Sequence, residues 1–356
     1  MKLEGYKTGG GNICITSCLR DILNFYGYEV REYMVFAVSL ANMFYYEEFI
    51  PGEDEKLRMG GIYYDVLTVI ENAVRFFGLE LIHHNTSDDD DEIAGFVRDN
   101  LNNGYPVMAI TSRKYLDYMP EQFKDDVPHC INIIGLEGDD FIASDTYIPK
   151  KRVETFEGFL SKDSFLNSMK YARDIYQERF RYQCLAIKPL PKEDRQIKTF
   201  QDFSYEKLCM PVLTVAHTYI GGEVPEEKVL IGAKGLRKFR KDLLSWFITQ
   251  DIDKIKHVLK TIHNHMVDFG GCVTTYQFFS DYFTILGQKS REAVWFSLSD
   301  DMKFLSRRWF ILANTICKSA FIVQEHTREN IDTRLNELVQ IERVLWEKVQ
   351  SVCEEL

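Results

Sequence analysis

An uncharged apolar run of about 18 residues, the shortest that would cross a membrane as a helix, occurs nowhere in this chain. The stretch Met1-Lys2-Leu3-Glu4-Gly5-Tyr6 also lacks the apolar core of a signal peptide, so a cytoplasmic location is expected. No GxxxxGKS or GxxxxGKT phosphate loop is present, which argues against fusion to an ATP-driven transporter. The eight cysteines, at 14, 18, 130, 184, 209, 272, 317 and 353, include no CxxC pair. Scattered through so long a chain, they are expected to be reduced thiols. A zinc set of Cys14, Cys18, His129 and Cys130 would combine CxxxC with an adjacent His-Cys, which is not a usual finger spacing. Neither a metal nor a resident cofactor is expected. Positive charge is in deficit, with a net charge of −11, and this argues against a nucleic-acid surface. Repeats and low-complexity tracts are missing too.

What is present is a 356-residue chain with 45% hydrophobic and 27% charged residues, enough for a large core and for two domains. Its most distinctive stretch is Gly9-Gly10-Gly11-Asn12-Ile13-Cys14, followed by an amphipathic pattern through Gly27. Ile15, Cys18, Leu19, Ile22, Leu23 and Tyr26 recur at spacings of three and four and predict a helix, capped by Asn12 and closed by Gly27. Cys14 falls in the first turn, where free N–H groups and the macrodipole favour a thiolate. Cys18 lies on the apolar stripe and reads as core.

Further along, Glu32–Tyr46 reads as a second buried helix, Pro51–Gly61 as a loop, Tyr63–Phe77 as a third helix and Leu79–His84 as a strand. The acidic run Asp88–Glu92 suits a loop and a helix start; no glycine stands where an EF-hand loop would need it. Ile93–Leu101 completes that helix, and Tyr105–Thr111 reads as a central strand. Pro128–Asp145 reads as two strands joined at Gly138-Asp139. A helix over Lys162–Glu178 and a strand over Arg181–Ile187 precede Pro189-Leu190-Pro191, taken as the domain boundary. The division is 1–192 and 193–356. Beyond it the chain reads as helical: Glu226–Thr249, Ile252–Asp268, Cys272–Gly287, Arg291–Ala320 and a long stretch from Arg328.

A cysteine nucleophile needs a base and a group to orient it, and His129 and Asp145 on the hairpin are the candidates. Register decides whether they meet. Pairing Leu136 with Phe141 sets Asp145 opposite Asn132, so that His129 and Asp145 face opposite sides. Pairing Leu136 with Asp140 sets Asp145 opposite Ile131, on the His129 face. A catalytic pair therefore predicts an odd loop or a bulge in this hairpin.

Cys14 at a helix start, with Tyr26-Gly27 closing the helix, resembles the papain-like C39 peptidase pattern of a cysteine followed by LxxYYG. Tyr105-Pro106-Val107-Met108, then His129-Cys130-Ile131-Asn132-Ile133-Ile134-Gly135, then Ala143-Ser144-Asp145 follow the order of strand, histidine strand and aspartate in the same family. More closely, this part resembles the N-terminal domain of the butirosin-biosynthesis BtrH type. The helical half, with Ile231–Arg237 and Gly270–Tyr276, resembles that family's C-terminal partner. The resemblance implies an α+β, papain-like (C39-like) domain followed by an all-helical domain. It also implies a cysteine acyltransferase with a Cys14, His129 and Asp145 triad, moving an acyl group from a phosphopantetheine thioester on a carrier protein to a small-molecule amine. One departure is that Thr8 stands where papain-like enzymes carry the glutamine of the oxyanion hole, leaving the Cys14 N–H with Asn12 or a glycine N–H as candidate donors.

The expected partners are an acyl or peptidyl carrier protein and the amine, with no nucleic acid or membrane, and with homo-oligomerisation open. Lys234, Arg237, Lys238, Arg240 and Lys241 are the best basic patch for an acidic carrier. The alternatives are a C39-like cysteine peptidase, a thioester hydrolase, or a scaffold that has lost catalysis.

Overall fold

The computed structural model describes the chain except at residues 41, 52–56, 63–65, 86–88, 149–153, 177–181, 190–198, 222–228, 250, 269, 323–325 and 356. The boundary drawn at 192/193 lies outside the described residues. In chain order the first elements are α1 (Cys14–Phe25), α2 (Glu32–Val38), β1 (Asn42–Glu47), β2 (Met59–Ile62), α3 (Val66–Phe77), β3 (Glu80–Asn85) and α4 (Asp90–Asn102). Then follow β4 (Val107–Ser112), β5 (Pro128–Glu137), β6 (Asp140–Ile148), β7 (Glu154–Leu160), α5 (Lys162–Tyr176) and β8 (Tyr182–Lys188). The remainder is α6 (Tyr205–Gly221), β9 (Val229–Ile231), α7 (Gly232–Thr249), α8 (Ile252–Val267), α9 (Cys272–Ser290), α10 (Ala293–Phe321) and α11 (Thr327–Glu354). The fold is mixed α/β, with a sheet in the N-terminal region and a helical C-terminal region. Among the described residues no helix is long and apolar enough to cross a membrane.

The chain divides into two compact units, Met1–Ser39 with Tyr64–Phe203, and Leu40–Tyr63 with Ser204–Leu356. The first unit is built on a six-stranded antiparallel sheet in the order β3-β8-β4-β5-β6-β7. β4 is buried at every position, as the apolar run Val107–Ile110 anticipates for a central strand. α1 buries Cys18, Leu19, Ile22 and Leu23 and lies on β5 and β6. Gly27, at φ 89°, provides the left-handed turn after it. Past Ile133 the edge of β5 is no longer covered by β4. Residues Met1–Leu3 take that place, through Leu3 N–H to the Ile134 carbonyl and Leu136 N–H to the Met1 carbonyl. A Cβ on Gly135 would stand 2.5 Å from the Met1 carbonyl oxygen, so the close approach requires glycine.

In the second unit the three-stranded sheet β2-β1-β9 accompanies helices α6 to α11. Trp295, Trp309 and Trp346 are fully buried there. The expected helix over Glu32–Tyr46 is corrected: it stops at Val38, Leu40 adopts φ 60°, and Asn42–Glu47 is a strand. Phe44 and Tyr46 alternate inward onto Phe239, and Phe44 also stacks on Trp309. A run that is apolar at almost every position hides its period, so only the packing partners select the strand. The helix expected from Glu226 is corrected as well, because Val229–Ile231 pairs with β1 before α7 begins. β7 and α6 went unread. β7 is a largely exposed edge strand without an apolar pattern, and α6 carries Pro211 in its interior.

Candidate active site

Cys14 is the first residue of α1, and the N-cap is Ile13, not Asn12. The expected Asn12 side-chain cap is replaced by a carboxylate from α2. Glu32 Oε1 accepts from Ile13 N–H at 2.8 Å and from the Thr16 hydroxyl at 3.2 Å, and Oε2 accepts from Asn12 N–H at 2.9 Å. The glycine lead-in is tied down from the other side. Arg20 reaches the carbonyls of Gly9 and Gly10 and pairs with Asp21, which accepts from Gly9 N–H. Gly11 N–H goes to the Thr146 carbonyl, and a Cβ on Gly11 would stand 2.2 Å from Ser17 Cβ. The start of α1 is thus fixed by two buried carboxylates and by β6.

On the hairpin, Glu137 pairs with Asp140 and Leu136 with Phe141, the even loop that would separate His129 from Asp145. A bulge reverses that outcome. Ile133 pairs with Ala143 but Gly135 already pairs with Ile142, leaving Ile134 as the extra residue. Carried one step beyond Asn132↔Ser144, the register sets Asp145 level with Ile131 and on the His129 face. His129 Nε2–H donates to Asp145 Oδ2 at 2.7 Å, with His129 2% and Asp145 0% exposed. Cys14 and the His129 imidazole influence one another electrostatically, the imidazole drawing the thiol down and the thiol raising the imidazole.

Asp145 has three donors. Tyr118 Oη–H donates to Oδ2 at 2.9 Å and Tyr147 N–H to Oδ1 at 2.9 Å, in addition to His129. Tyr118 comes from the polar excursion between β4 and β5 and stacks on Phe156 of β7 with centroids 3.9 Å apart. Arg113, itself buried, anchors that excursion by pairing with Asp125 at 2.6 Å.

The electrostatics follow from these contacts. Cys14 is held well below the usual thiol value, first by the neighbouring Cys130 and then by the His129 imidazolium, against the upward push of burial. Burial pulls His129 down, but Asp145 and then Cys14 outweigh it, and the imidazole is pushed up to about 10. Both shifts favour a thiolate–imidazolium pair. Cys18, by contrast, is fully buried with its thiol pushed up, first by burial.

The chain from α1 to β6 carries Cys14, Glu32, Tyr118, His129 and Asp145. Residues 13–146 match the family model described as Butirosin biosynthesis protein H, N-terminal. That match supports the BtrH resemblance for the segment holding Cys14, His129 and Asp145. No curated protein matches the chain.

Thr8 donates to Glu157 and shares a hydrogen bond with Ser144, away from the Cys14 turn's own contacts. The Asn12, Gly9 and Gly11 backbone N–H groups are committed to Glu32, Asp21 and Thr146. Among the described residues no group of three or more His, Cys, Asp and Glu is placed to hold a metal ion. In the second unit Lys238 pairs with Glu48 and Asp242, and Arg240 with Asp332. The five-residue basic patch is therefore reduced to Lys234, Arg237 and Lys241 as exposed cations. Sequence reasoning missed Glu32 and Tyr118. Glu32 offered only an acidic first turn, and nothing in the sequence marks Tyr118.

Proposed function

We propose that the first unit is a papain-like cysteine acyltransferase of natural-product biosynthesis, with Cys14 as nucleophile, His129 as acid and base, and Asp145 orienting His129. The observation that carries this reading is the His129 imidazole meeting a buried carboxylate at 2.7 Å, together with a half-buried Cys14 at a helix start whose thiol that imidazole draws down.

The thiolate attacks the carbonyl of an acyl thioester on the phosphopantetheine arm of an acyl or peptidyl carrier protein. The carrier thiol leaves with the proton of the His129 imidazolium, and the acyl group stays on Cys14. A small-molecule amine then attacks the acyl carbonyl and passes its proton to His129. The amide departs as Cys14 returns to thiolate. The Cys14 N–H, which the Glu32 anchor does not engage, is our choice of oxyanion donor. At its finest the proposal is an amide synthetase of polythioamide (closthioamide) assembly, joining an aryl-capped acyl chain to a diamine in the cytoplasm without a resident cofactor.

Intact-protein mass spectrometry after mixing with acyl-loaded carrier protein tests this, with Cys14→Ala as control. An acyl adduct on the wild type alone is the expected result, discharged by an amine faster than by water. Discharge by water alone would favour a thioester hydrolase. Labelling of Cys14 by a peptidyl electrophile without any carrier adduct would favour the peptidase.

A further inference from the structure

We propose that Tyr118 is a positioning residue that sets the basicity of His129 through the shared oxygen of Asp145. The inference rests on the reading of Cys14 and His129 as the reacting pair. Asp145 Oδ2 accepts two hydrogen bonds, from His129 Nε2–H at 2.7 Å and from Tyr118 Oη–H at 2.9 Å, while Oδ1 is held by Tyr147 N–H at 2.9 Å. With Asp145 fully buried, no bulk solvent competes for that oxygen, and each donor directly draws down the charge the other feels. The hydroxyl is also held in place: its ring lies flat on Phe156, at an interplanar angle of 6°. A Cβ on Gly158 would stand 2.9 Å from the Phe156 ring, so the glycine leaves room for that platform.

The chemistry gives this contact a purpose. During acyl transfer His129 must surrender its proton to the departing carrier thiol and later accept one from the amine. A carboxylate with no competing donor would hold the imidazolium too firmly for the first step. Tyr118 takes part of the Asp145 charge and loosens that hold. The other titratable groups facing this pair are Cys14 and Cys18 on α1, Cys130 on β5 and Asp117 beside Tyr118. None of these is altered by removing the phenolic oxygen alone.

Tyr118→Phe keeps the ring and its stack. The test is the rate of Cys14 alkylation by iodoacetamide as a function of pH, followed by intact mass, in wild type and in the variant. Because the donor is lost, the alkaline limb belonging to His129 is expected to move up by about half a unit or more. Single-turnover deacylation of the carrier thiol is expected to slow at the same time. Phe156→Leu, which loosens the seat of Tyr118 but leaves its hydroxyl, is expected to move the limb in the same direction by less. A Tyr118→Phe profile that superimposes on wild type, with equal thermal stability, would overturn the inference and leave the Cys14–His129 reading intact. Absence of Cys14 alkylation at any pH in wild type would overturn both.

Discussion

Two buried carboxylates, one in each unit, are held by quite different donors. Asp145 meets an imidazole, a phenol and a backbone N–H. Glu342 of α11, also 0% exposed, meets the Tyr219 hydroxyl and the Trp309 indole N–H. The difference lies in one partner that can carry a positive charge. His129 is pushed up to about 10 beside Asp145, so a charge pair survives burial. Glu342 has only neutral donors, and burial pushes it up to about 7 despite them. Neutral donors therefore do not offset burial as a cation does. A buried carboxylate stays charged next to a cation and drifts toward neutrality among phenols and indoles.

The comparison can be broken most severely at Glu342. Glu342→Ala leaves the buried Tyr219 and Trp309 donors unpaired beside a cavity and is expected to cost about 3–5 kcal/mol, read by chemical denaturation of the second unit's helices. Glu342→Gln sharpens the point. A carboxyl raised to about 7 from an ordinary 4.5 contributes stability that is complete below 4.5 and lost as pH rises through 7. Wild type should therefore lose stability from about pH 4.5 to 7, and the glutamine variant should lack that slope. A slope that persists would remove Glu342 as its cause.

Next in size is Asp145→Asn. It removes the charge that holds His129 up, so the alkaline limb of Cys14 alkylation, expected near 10, should fall by about 1–3 units. The sign matters: the thiolate–imidazolium pair exists above the lowered Cys14 value and disappears as pH climbs through the His129 value. The imidazolium's contribution to stability is likewise complete below 6.5 and lost through about 10. Smallest is Glu32→Gln, which weakens the anchor under Asn12 and Ile13 and is expected to cost about 1–2 kcal/mol by thermal or denaturant melting. It should also lower the acidic limb of Cys14 alkylation, because a negative charge near the thiolate is removed.

Much of the site was legible because its parts obey local rules. The stripe from Ile15 to Tyr26 and the Gly27 stop predicted α1 with Cys14 in its first turn, which α1 (Cys14–Phe25) matches. The Gly138-Asp139 turn predicted the hairpin, and the face alternation showed that His129 and Asp145 could meet only through an odd loop or a bulge. What the pattern could not choose was which of the two. The bulge sits at Ile134, where Met1–Leu3 pack against Gly135, a contact more than a hundred residues apart in sequence. Glu32 and Tyr118 escaped notice for the same reason. Each acts on a residue of another element, Glu32 on the turn before Cys14 and Tyr118 on Asp145.

The sequence by itself determined the local elements of the candidate site: a cysteine at a helix start, a histidine opening one strand and an aspartate near the end of the next. Helix stripes, turn glycines and strand alternation are interactions between near neighbours, and these are written in residue order. Only the tertiary structure decided that Asn42–Glu47 is a strand, that a bulge turns Asp145 toward His129, and that Glu32 and Tyr118 hold the two halves of the site in place. These outcomes depend on burial and hydrogen bonds between distant segments, where the free energy is settled by partners that no local pattern can name.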